Sequence, residues 1–358
     1  MRLVVNLSTL GPRPTGLGIY STHCARAICA SFDADLVAAE SAGYPNLTIA
    51  SPSSIALGAG RAAAIRRWLW LRKLPDMEDR LVYCPTHHGL PKQRNQILTI
   101  HDLIALRFPR QHPTQYMFFR HMLPRHLETA RAVFTVSEAT RQDIHDSYGY
   151  PIDAIHVVPN GVDTTVYHPP QQPVSGDEEQ PFLLMVGAAY EHKNVEEVLA
   201  MADLWRGRYR LLVASCRGKY RARLEARVVE ARLGDAVQFL PYLSQAELVR
   251  LYQSAAALVY PSKWEGFGIP PLEALACGAT VIASDIPAHR EVLGTHARFV
   301  RLGNEADWVR ALQHLPDPRD RRTADIDDPH HPVRHFTWAR SAERLVASLL
   351  AVEPALAP

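Results

Sequence analysis

Two glutamates stand eight residues apart in a segment rich in glycine and proline. The segment reads Pro-Ser-Lys-Trp-Glu-Gly-Phe-Gly-Ile-Pro-Pro-Leu-Glu over residues 261–273, and it follows a strand candidate at 257–260. Ionised carboxylates accept strong hydrogen bonds from hydroxyl groups, so Glu265 and Glu273 suit a ligand rich in sugar or ribose hydroxyls. Two glutamates at this spacing mean nothing alone, and the strand, the glycine loop and the helix start around them carry the interpretation.

The same segment predicts an anion site at the start of a helix. Gly266 and Gly268 allow backbone N–H groups to approach a ligand closely. Pro270 and Pro271 suit the first turn of a helix, where a missing N–H costs little. The free N–H groups of such a turn, together with the helix dipole, favour a negatively charged group. The segment therefore predicts binding of a ligand that combines hydroxyls with a diphosphate.

Short apolar runs alternate with helical stretches along most of the chain. The four apolar side chains of residues 183–186 predict a strand covered on both faces, as in a parallel sheet between helices. Ser244 begins a capping box, and Ser137 can cap a helix that ends at Gly149. This alternation predicts a doubly wound α/β fold. We expect strands at residues 3–7, 96–101, 132–136, 155–158, 182–187, 210–214, 257–260 and 280–283.

A proline-rich segment divides the chain near its middle. Residues 169–181 contain four prolines and no apolar periodicity, which is typical of a linker. The length of 358 residues suggests two domains at roughly 150 residues each. We therefore predict an N-terminal Rossmann-like domain over residues 1–168 and a C-terminal one over residues 182–335.

Composition and charge exclude several classes of protein. The 39 basic and 37 acidic residues leave a net charge of +2, whereas nucleic-acid-binding proteins are more often strongly basic. No apolar run approaches the ~18 residues of a membrane span, and the first residues turn polar too soon for a signal peptide. The five cysteines form no Cys-x-x-Cys pair, which favours a reducing cytoplasm over disulfides or a zinc site. We expect a cytoplasmic protein with no nucleic-acid partner.

A basic stretch from Arg61 to Lys73 leaves two interpretations open. It surrounds Trp68 and Trp70, and no carboxylate stands between Glu40 and Asp76. Basic residues mixed with tryptophan can dock on an anionic membrane surface, at ~1 kcal/mol for each basic residue. The alternative is a surface helix whose tryptophans pack inward.

The chain resembles the retaining glycosyltransferases of family 4, which adopt the GT-B fold. The segment from Glu265 to Glu273 resembles the E-x7-E signature of that family. The resemblance covers nearly the whole chain, with further motifs at residues 15–20, 99–103, 136–140, 158–163 and 336–342. It implies two Rossmann-like domains that face a central cleft. It also implies a closing helix, at about residues 338–352, that crosses back onto the N-terminal domain.

The resemblance assigns roles to individual residues. Glu265 would hold hydroxyls of the donor sugar, and Glu273 would hold those of the ribose. Lys193 would clamp the donor diphosphate, and His101 would face the reacting sugar from the opposite domain. Without the resemblance, His101 would be interpreted as a loop residue that pairs with Asp102. The other donor-site residues implied are Gly16, Gly18, Gly266, Phe267, Gly268 and Ile269.

The diphosphate clamp departs from the family pattern. Many relatives carry an arginine just after the glycine that matches Gly187, or just before the lysine. This chain has Ala188 and His192 at those positions. The clamp therefore has one charge fewer than expected, unless Arg217 or Lys263 substitutes.

The expected activity is transfer of one hexose from a nucleotide diphosphate sugar, with retention of configuration and with no metal or other cofactor. Similarity of the His-Lys-Asn and His-Asp segments to mannosyltransferase-like relatives favours mannose from GDP-mannose. The expected acceptor is a glycan or lipid-linked glycan of bacterial surface or exopolysaccharide assembly. A rhamnosyl or UDP-sugar donor stays open, as does a catalytically inactive scaffold that only binds nucleotide sugars. If the Arg61–Lys73 stretch docks, the protein would lie at the inner face of the cytoplasmic membrane.

Overall fold

The chain forms two compact units. In the computed structural model, the described residues are 2–11, 16–39, 44, 47–56, 59–60, 62–74, 79–91, 93–171, 180–316 and 328–356. The first unit combines Met1–Asn160 with Trp338–Pro358, and the second unit is Gly161–Thr337.

The first unit is built on a parallel sheet. Its strands are β1 (Arg2–Asn6), β2 (Ala34–Ala39), β3 (Leu47–Ser51), β4 (Arg80–Cys84), β5 (Gln96–Ile100), β6 (Ala130–Thr135) and β7 (Ile155–Val157). Its helices up to that point are α1 (Gly16–Ser31), α2 (Ala63–Leu71), α3 (Ile104–Arg107), α4 (Pro113–His121), α5 (Leu123–Leu127) and α6 (Glu138–Tyr148). Within the described residues the seven strands run parallel in the order β3-β2-β1-β4-β5-β6-β7.

The second unit repeats this construction. Its strands are β8 (Phe182–Met185), β9 (Arg210–Val213), β10 (Val237–Phe239), β11 (Ala257–Tyr260), β12 (Val281–Ser284) and β13 (Arg298–Val300). Its helices are α7 (Val195–Ala200), α8 (Ala202–Trp205), α9 (Gly218–Glu230), α10 (Gln245–Ser254), α11 (Ile269–Ala276), α12 (Pro287–Leu293), α13 (Glu305–Leu312) and α14 (Pro332–His335). Within the part of the chain that is described, the six strands are parallel in the order β10-β9-β8-β11-β12-β13.

Both sheets are covered on their two faces, which confirms the predicted α/β class. Leu183 and Leu184 are neighbours in β8 and point to opposite faces, yet each is fully buried. Leu81 and Val82 in β4 show the same pattern in the first unit. The predicted helix limits around α6 and α10 are observed, since Ser137 Oγ accepts from the Thr140 N–H, Gly149 follows α6 at a φ of 65°, and Ser244 forms a capping box.

The boundary between the units lies at Asn160, eight residues before the predicted end of the first domain at 168. Residues 161–168 belong to the second unit because they bind its elements. The Val162 N–H donates to the Phe336 carbonyl, and the Gln253 amide donates to the His168 carbonyl at 2.8 Å. Of the predicted linker at 169–181, residues 172–179 lie outside the described residues.

The last long helix, α15 (Trp338–Val352), belongs to the first unit. It packs along α1, and Ser341 Oγ donates to the Pro159 carbonyl at 2.6 Å. At its end, Arg131 pairs with Glu353 at 2.6 Å. None of the helices in the described residues is long and apolar enough to cross a membrane.

Candidate functional site

The glycine loop of the second unit joins β11 to α11. Gly268 precedes the helix at a φ of 95°, in the left-handed region that glycine adopts without strain. Pro270 and Pro271 are the second and third residues of the helix, and neither has an N–H. Ile269 therefore supplies the only N–H among the first three helical residues. The anion site predicted here therefore has fewer helical N–H donors than a helix start without prolines would have. It depends more on the N–H groups of the loop.

Lys193 and Glu265 meet in a buried ion pair. The Lys193 Nζ lies 2.6 Å from Glu265 Oε1 and donates to the Tyr260 hydroxyl at 2.9 Å. The side chains of Lys193 and Glu265 are 17% and 8% exposed. Two of the three ammonium N–H donors are used in these contacts, so one is left for a ligand.

Each charge of the pair stabilises the other. Burial alone would lower the pKa of Lys193, but the Glu265 carboxylate raises it above its ordinary value. Burial alone would raise the pKa of Glu265, but the Lys193 ammonium holds it below its ordinary value. Both groups are therefore ionised at neutral pH, and each holds the other in place within the glycine loop site.

The order of the strands explains why the two residues meet. Lys193 ends a short 3-10 turn that follows β8, and Glu265 lies in the loop that follows β11. Since β8 and β11 are adjacent and parallel, their carboxyl ends share one edge of the sheet. The Lys263 N–H donates to the His192 carbonyl at 2.8 Å and ties the two loops together.

Glu273 lies inside α11 and accepts a hydrogen bond from a tyrosine side chain. Its Oε2 accepts from the Tyr252 hydroxyl at 3.0 Å. Burial raises the pKa of Glu273, and hydrogen bonds from Tyr252 and Tyr167 offset part of that rise. The predicted role in holding ribose hydroxyls stays a prediction, and the structure adds that a fixed phenol orients this carboxylate.

His289 on α12 is a residue of this site that the sequence analysis missed. Its Nδ1 lies 2.9 Å from the Ser284 carbonyl, which can only accept, so Nδ1 carries the proton and Nε2 is a bare acceptor. The ring is fully buried, and among the described residues Nε2 has no hydrogen-bond partner. A Cβ on Gly268 would lie 3.3 Å from His289 Cδ2, so the imidazole packs closely against the backbone of Gly268. The local sequence Pro-Ala-His-Arg contains no motif that would have identified His289 as a residue of this site.

The remaining donor-site candidates fall into two groups. Arg217 follows β9 and Lys263 follows β11, so both lie at the same sheet edge, and both side chains are exposed. In contrast, Gly266 is buried, and Phe267 is buried with its ring edge-to-face against Phe336 at 5.3 Å. Arg217 and Lys263 can therefore reach a ligand with their side chains, whereas Phe267 can offer only its backbone.

The candidates of the first unit lie around the start of α1. Gly16 and Gly18 belong to the first turn of α1. His101 follows β5, with its Nε2 2.9 Å from the Pro85 carbonyl and its ring edge-to-face with Tyr20 at 4.6 Å. Burial lowers the pKa of His101 to about 4, so the ring is neutral at physiological pH. Because the Pro85 carbonyl can only accept, Nε2 carries the proton, and Nδ1 can accept a hydrogen bond from a sugar hydroxyl.

The described residues contain no group of three or more His, Cys, Asp or Glu side chains arranged to hold a metal ion.

Two family descriptions match the chain, one for each half. Residues 16–166 match Glycosyltransferase Family 4, and residues 170–323 match Glycosyl transferases group 1.

Among curated proteins, the chain is similar to bacterial mannosyltransferases. It is 33% identical over 336 residues to the O-antigen chain mannosyltransferase RfbU of Salmonella typhimurium, with 88% of this chain and 92% of that protein covered. It is 30% identical over 287 residues to the O-antigen chain mannosyltransferase B of Escherichia coli, with 76% and 74% covered. A third relative is the MMP alpha-(1->4)-mannosyltransferase of Mycolicibacterium hassiacum, at 28% identity over 87% of this chain and 77% of that protein.

Solved structures share the fold at low sequence identity. The sucrose-phosphate synthase of Thermosynechococcus elongatus superposes with a TM-score of 0.72 at 18% identity and covers 99% of both chains. HepE of Anabaena, in complex with UDP and glucose, gives 0.71 at 12% identity over 98% of this chain and all (100%) of that one. With two parallel-sheet units of this form and the sequence matches above, the chain belongs to the family 4 glycosyltransferases of the GT-B fold.

Proposed function

We propose that this glycosyltransferase moves mannose from GDP-mannose to a glycan or lipid-linked glycan in bacterial surface polysaccharide assembly, with retention of configuration. Similarity to O-antigen mannosyltransferases over most of both chains supports the sugar and the acceptor class. The single observation that carries the chemistry is the buried Lys193–Glu265 pair at the carboxyl edge of the second sheet.

The proposed step breaks the bond between the anomeric carbon and the diphosphate. Negative charge grows on the departing diphosphate, and the free N–H of Lys193 and the backbone N–H groups around Gly268 stabilise it. The acceptor hydroxyl attacks on the face from which the diphosphate leaves, and its proton passes to the leaving group. Glu265 holds the sugar hydroxyls and is not needed as a covalent nucleophile. Charge stabilisation by these groups requires no metal.

His101 of the first unit would contact the reacting sugar in this proposal. Its low pKa supports the role, because a neutral ring can accept a hydrogen bond at Nδ1 without adding a charge near the anomeric carbon. Gly16 and Gly18 would border the acceptor and the leaving phosphate.

A purified-enzyme assay tests the proposal. GDP-mannose, UDP-glucose and a rhamnosyl nucleotide are each incubated with the protein, and release of free nucleotide is followed with and without a glycan acceptor. We expect turnover with GDP-mannose and retention in the product's anomeric signal. Turnover with UDP-glucose but not with GDP-mannose would change the assigned donor sugar from mannose to another hexose. HepE, solved with UDP-glucose, supports that alternative.

Binding without any turnover would favour the inactive scaffold. The observation behind this second candidate is the clamp, since Ala188 and His192 are buried and neither adds an arginine beside Lys193. Nucleotide-dependent stabilisation of the protein, measured as a rise in Tm, would then remain while transfer is absent.

Association with the inner face of the membrane is part of the proposal. Arg72 and Lys73 are exposed after α2, and Ile65 and Leu69 are exposed apolar side chains on the same helix. Arg61 lies outside the described residues, and Trp68 and Trp70 are half-buried. Co-sedimentation with anionic vesicles at low salt tests the idea, and protein that stays in the supernatant would contradict it.

A further inference from the structure

The first unit contains an apolar cavity that none of the predicted donor-site residues lines. Its volume is about 400 Å³, and its walls come from α2, from the region of α4 and α5, and from the loop after β4. Small-molecule sites typically occupy about 300–1,000 Å³. We refer to this space as the α2 cavity.

The walls of the α2 cavity are aromatic and aliphatic. Trp68 and Leu71 contribute from α2, and Phe118 and Met122 contribute from the opposite side. Ile65 also lines the cavity while 65% of its surface is exposed, so the cavity opens to solvent beside this residue. An apolar ligand chain could enter there, and its transfer out of water would favour binding.

One charged side chain, Arg67, lines the α2 cavity among the residues described. It is only 4% exposed, and its Nη1 donates to the Ile55 carbonyl at 2.6 Å. No carboxylate of the described residues forms an ion pair with it, and the sequence has none between Glu40 and Asp76. A buried charge without a counter-charge is destabilising, so this site favours an anion.

The histidines of the cavity wall do not supply competing charge. Burial lowers the pKa of His88 well below its ordinary value and also lowers the pKa of His126. Both rings are neutral at pH 7, so among the described residues the charge at the wall is that of Arg67. An apolar space with one buried cation among its described residues matches an amphiphile whose chain is apolar and whose head group is negative.

We propose that the α2 cavity binds the chain of a single-chain lipid phosphate and that Arg67 binds its phosphate. The choice of a lipid phosphate rests on the proposed function, in which the acceptor is carried on a lipid. The planar guanidinium can hold a phosphate through two parallel hydrogen bonds, and burial of each CH₂ group of the chain adds to the affinity.

Docking on a flat anionic membrane is a different interaction and would use other residues. Arg66, Arg72 and Lys73 are exposed and can meet lipid head groups at a surface. Arg67 is buried on the same helix and can meet only a ligand that enters the cavity. The adjacent arginines at 66 and 67 therefore separate the two interactions in an experiment.

Isothermal titration calorimetry on the full chain, without donor, tests the proposal. The probes are farnesyl phosphate, farnesol, laurate and inorganic phosphate. We expect farnesyl phosphate to bind at least tenfold more tightly than farnesol, and inorganic phosphate to give no measurable binding. Tighter binding of laurate, or equal affinity for farnesol, would overturn the assignment.

Two variants locate the ligand. Arg67→Met should lower the affinity for farnesyl phosphate to that for farnesol, whereas the matched variant Arg66→Met should change it less than twofold. Ala64→Trp, which adds a ring to the cavity wall, should lower the affinity for farnesyl phosphate and for farnesol alike. Unchanged affinity in Arg67→Met, or equal losses in both arginine variants, would overturn the role of Arg67. Unchanged affinity in Ala64→Trp would overturn the cavity as the site.

Vesicles separate this site from membrane docking. Loss of binding to phosphatidylglycerol vesicles in Arg67→Met, with unchanged affinity for farnesyl phosphate, would contradict the proposal. The proposed mannosyl transfer is judged by nucleotide release in a separate assay. If GDP-mannose is not used but farnesyl phosphate binds through Arg67, only the donor assignment fails.

Discussion

Lys193 and Glu265 are 72 residues apart in sequence and 2.6 Å apart in space. Each is buried and each is ionised because of the other, so neither can be changed without leaving an unpaired charge. This coupling means that loss of activity and loss of stability must be separated when either residue is tested. A variant series can do so, since the two effects respond differently to removal of one partner and of both.

Lys193→Met should reduce transfer about 100-fold, because removal of one donor to a developing oxyanion typically costs that much. It should also lower the free energy of unfolding by about 3 kcal/mol, because Glu265 is left buried without its partner. Steady-state nucleotide release and urea unfolding measure the two effects. Lys219→Met, on an exposed residue of α9, is the matched control.

The double variant Lys193→Met with Glu265→Gln separates stability from chemistry. It should regain most of the lost stability, because neither charge remains, while transfer stays low. Recovery of transfer together with stability would show that Lys193 acts only as a structural partner.

His87 makes the first unit sensitive to acid. Burial, with smaller contributions from His101 and Arg67, lowers the pKa of His87 to about 3. Its ordinary pKa is about 6.5, so between these values the unfolded chain binds a proton that the folded chain does not. Stability therefore falls as pH falls from 6.5 towards 3, and the contribution of His87 is fully retained only above 6.5.

Urea unfolding at pH 7 and pH 4.5 measures this effect. Between pH 7 and pH 4.5, the free energy of unfolding of the wild-type protein should fall by on the order of 2 kcal/mol more than that of His87→Gln, whose amide does not titrate. Equal losses in the two proteins would show that acid acts through other groups.

At the scale of elements, the start of α11 depends on α12. Gly268 needs a positive φ for the turn into the helix, and its α-carbon faces the buried imidazole of His289. The helix start, which positions the loop N–H groups, therefore rests on a neighbouring helix as well as on its own sequence. Gly278, after α11, also has a positive φ, but a Cβ there would meet nothing closer than 3.9 Å.

Gly268→Ala should destabilise the protein more than Gly278→Ala, by roughly 1–3 kcal/mol, because only the first adds a steric conflict to backbone strain. It should also weaken the rise in Tm caused by the donor nucleotide. Thermal unfolding with and without nucleotide measures both effects.

Gly268→Ala with His289→Ala relieves the conflict and should regain part of the stability. If the two single glycine variants behave alike, the contact between Gly268 and His289 has no energetic role.

At the scale of the whole molecule, the chain returns to its first unit after completing its second. Trp338 stacks on His23 at 4.0 Å, Leu345 and Leu349 are buried, and Ser341 binds the Pro159 carbonyl. A helix more than 170 residues from the β7 strand is thus part of the first unit's core. The first unit is therefore complete only once α15 is present.

Leu345→Asp should destabilise the first unit by about 3 kcal/mol or more, because a carboxylate replaces a buried side chain. Hydrogen exchange on the full chain measures it, with faster exchange in β1 and α1 and little change in β8 and β11. Ala347→Asp, on an exposed position of the same helix, is the control. Faster exchange confined to the second unit would contradict the assignment of α15.

Local patterns predicted the elements that carry strong local signals. Ser137, Gly149 and the Ser244 capping box marked helix ends correctly, and β11 was predicted at its observed residues. Strands with weaker signals were missed, such as β2, whose Asp35 looks out of place in a buried strand. The structure explains it, since Asp35 pairs with Arg2 from the adjacent strand β1 and with Arg80 from β4, one strand further along the sheet.

The sequence by itself determined the α/β class, the division into two units and the segment around Glu265, because apolar periodicity and turn chemistry act over a few residues. Only the tertiary structure decided that Glu265 pairs with Lys193, that Tyr252 binds Glu273 and that His289 lies beneath Gly268. The physical reason is strand order. β8 lies beside β11 rather than beside β10, so the residues that meet at the sheet edge come from loops far apart in the chain.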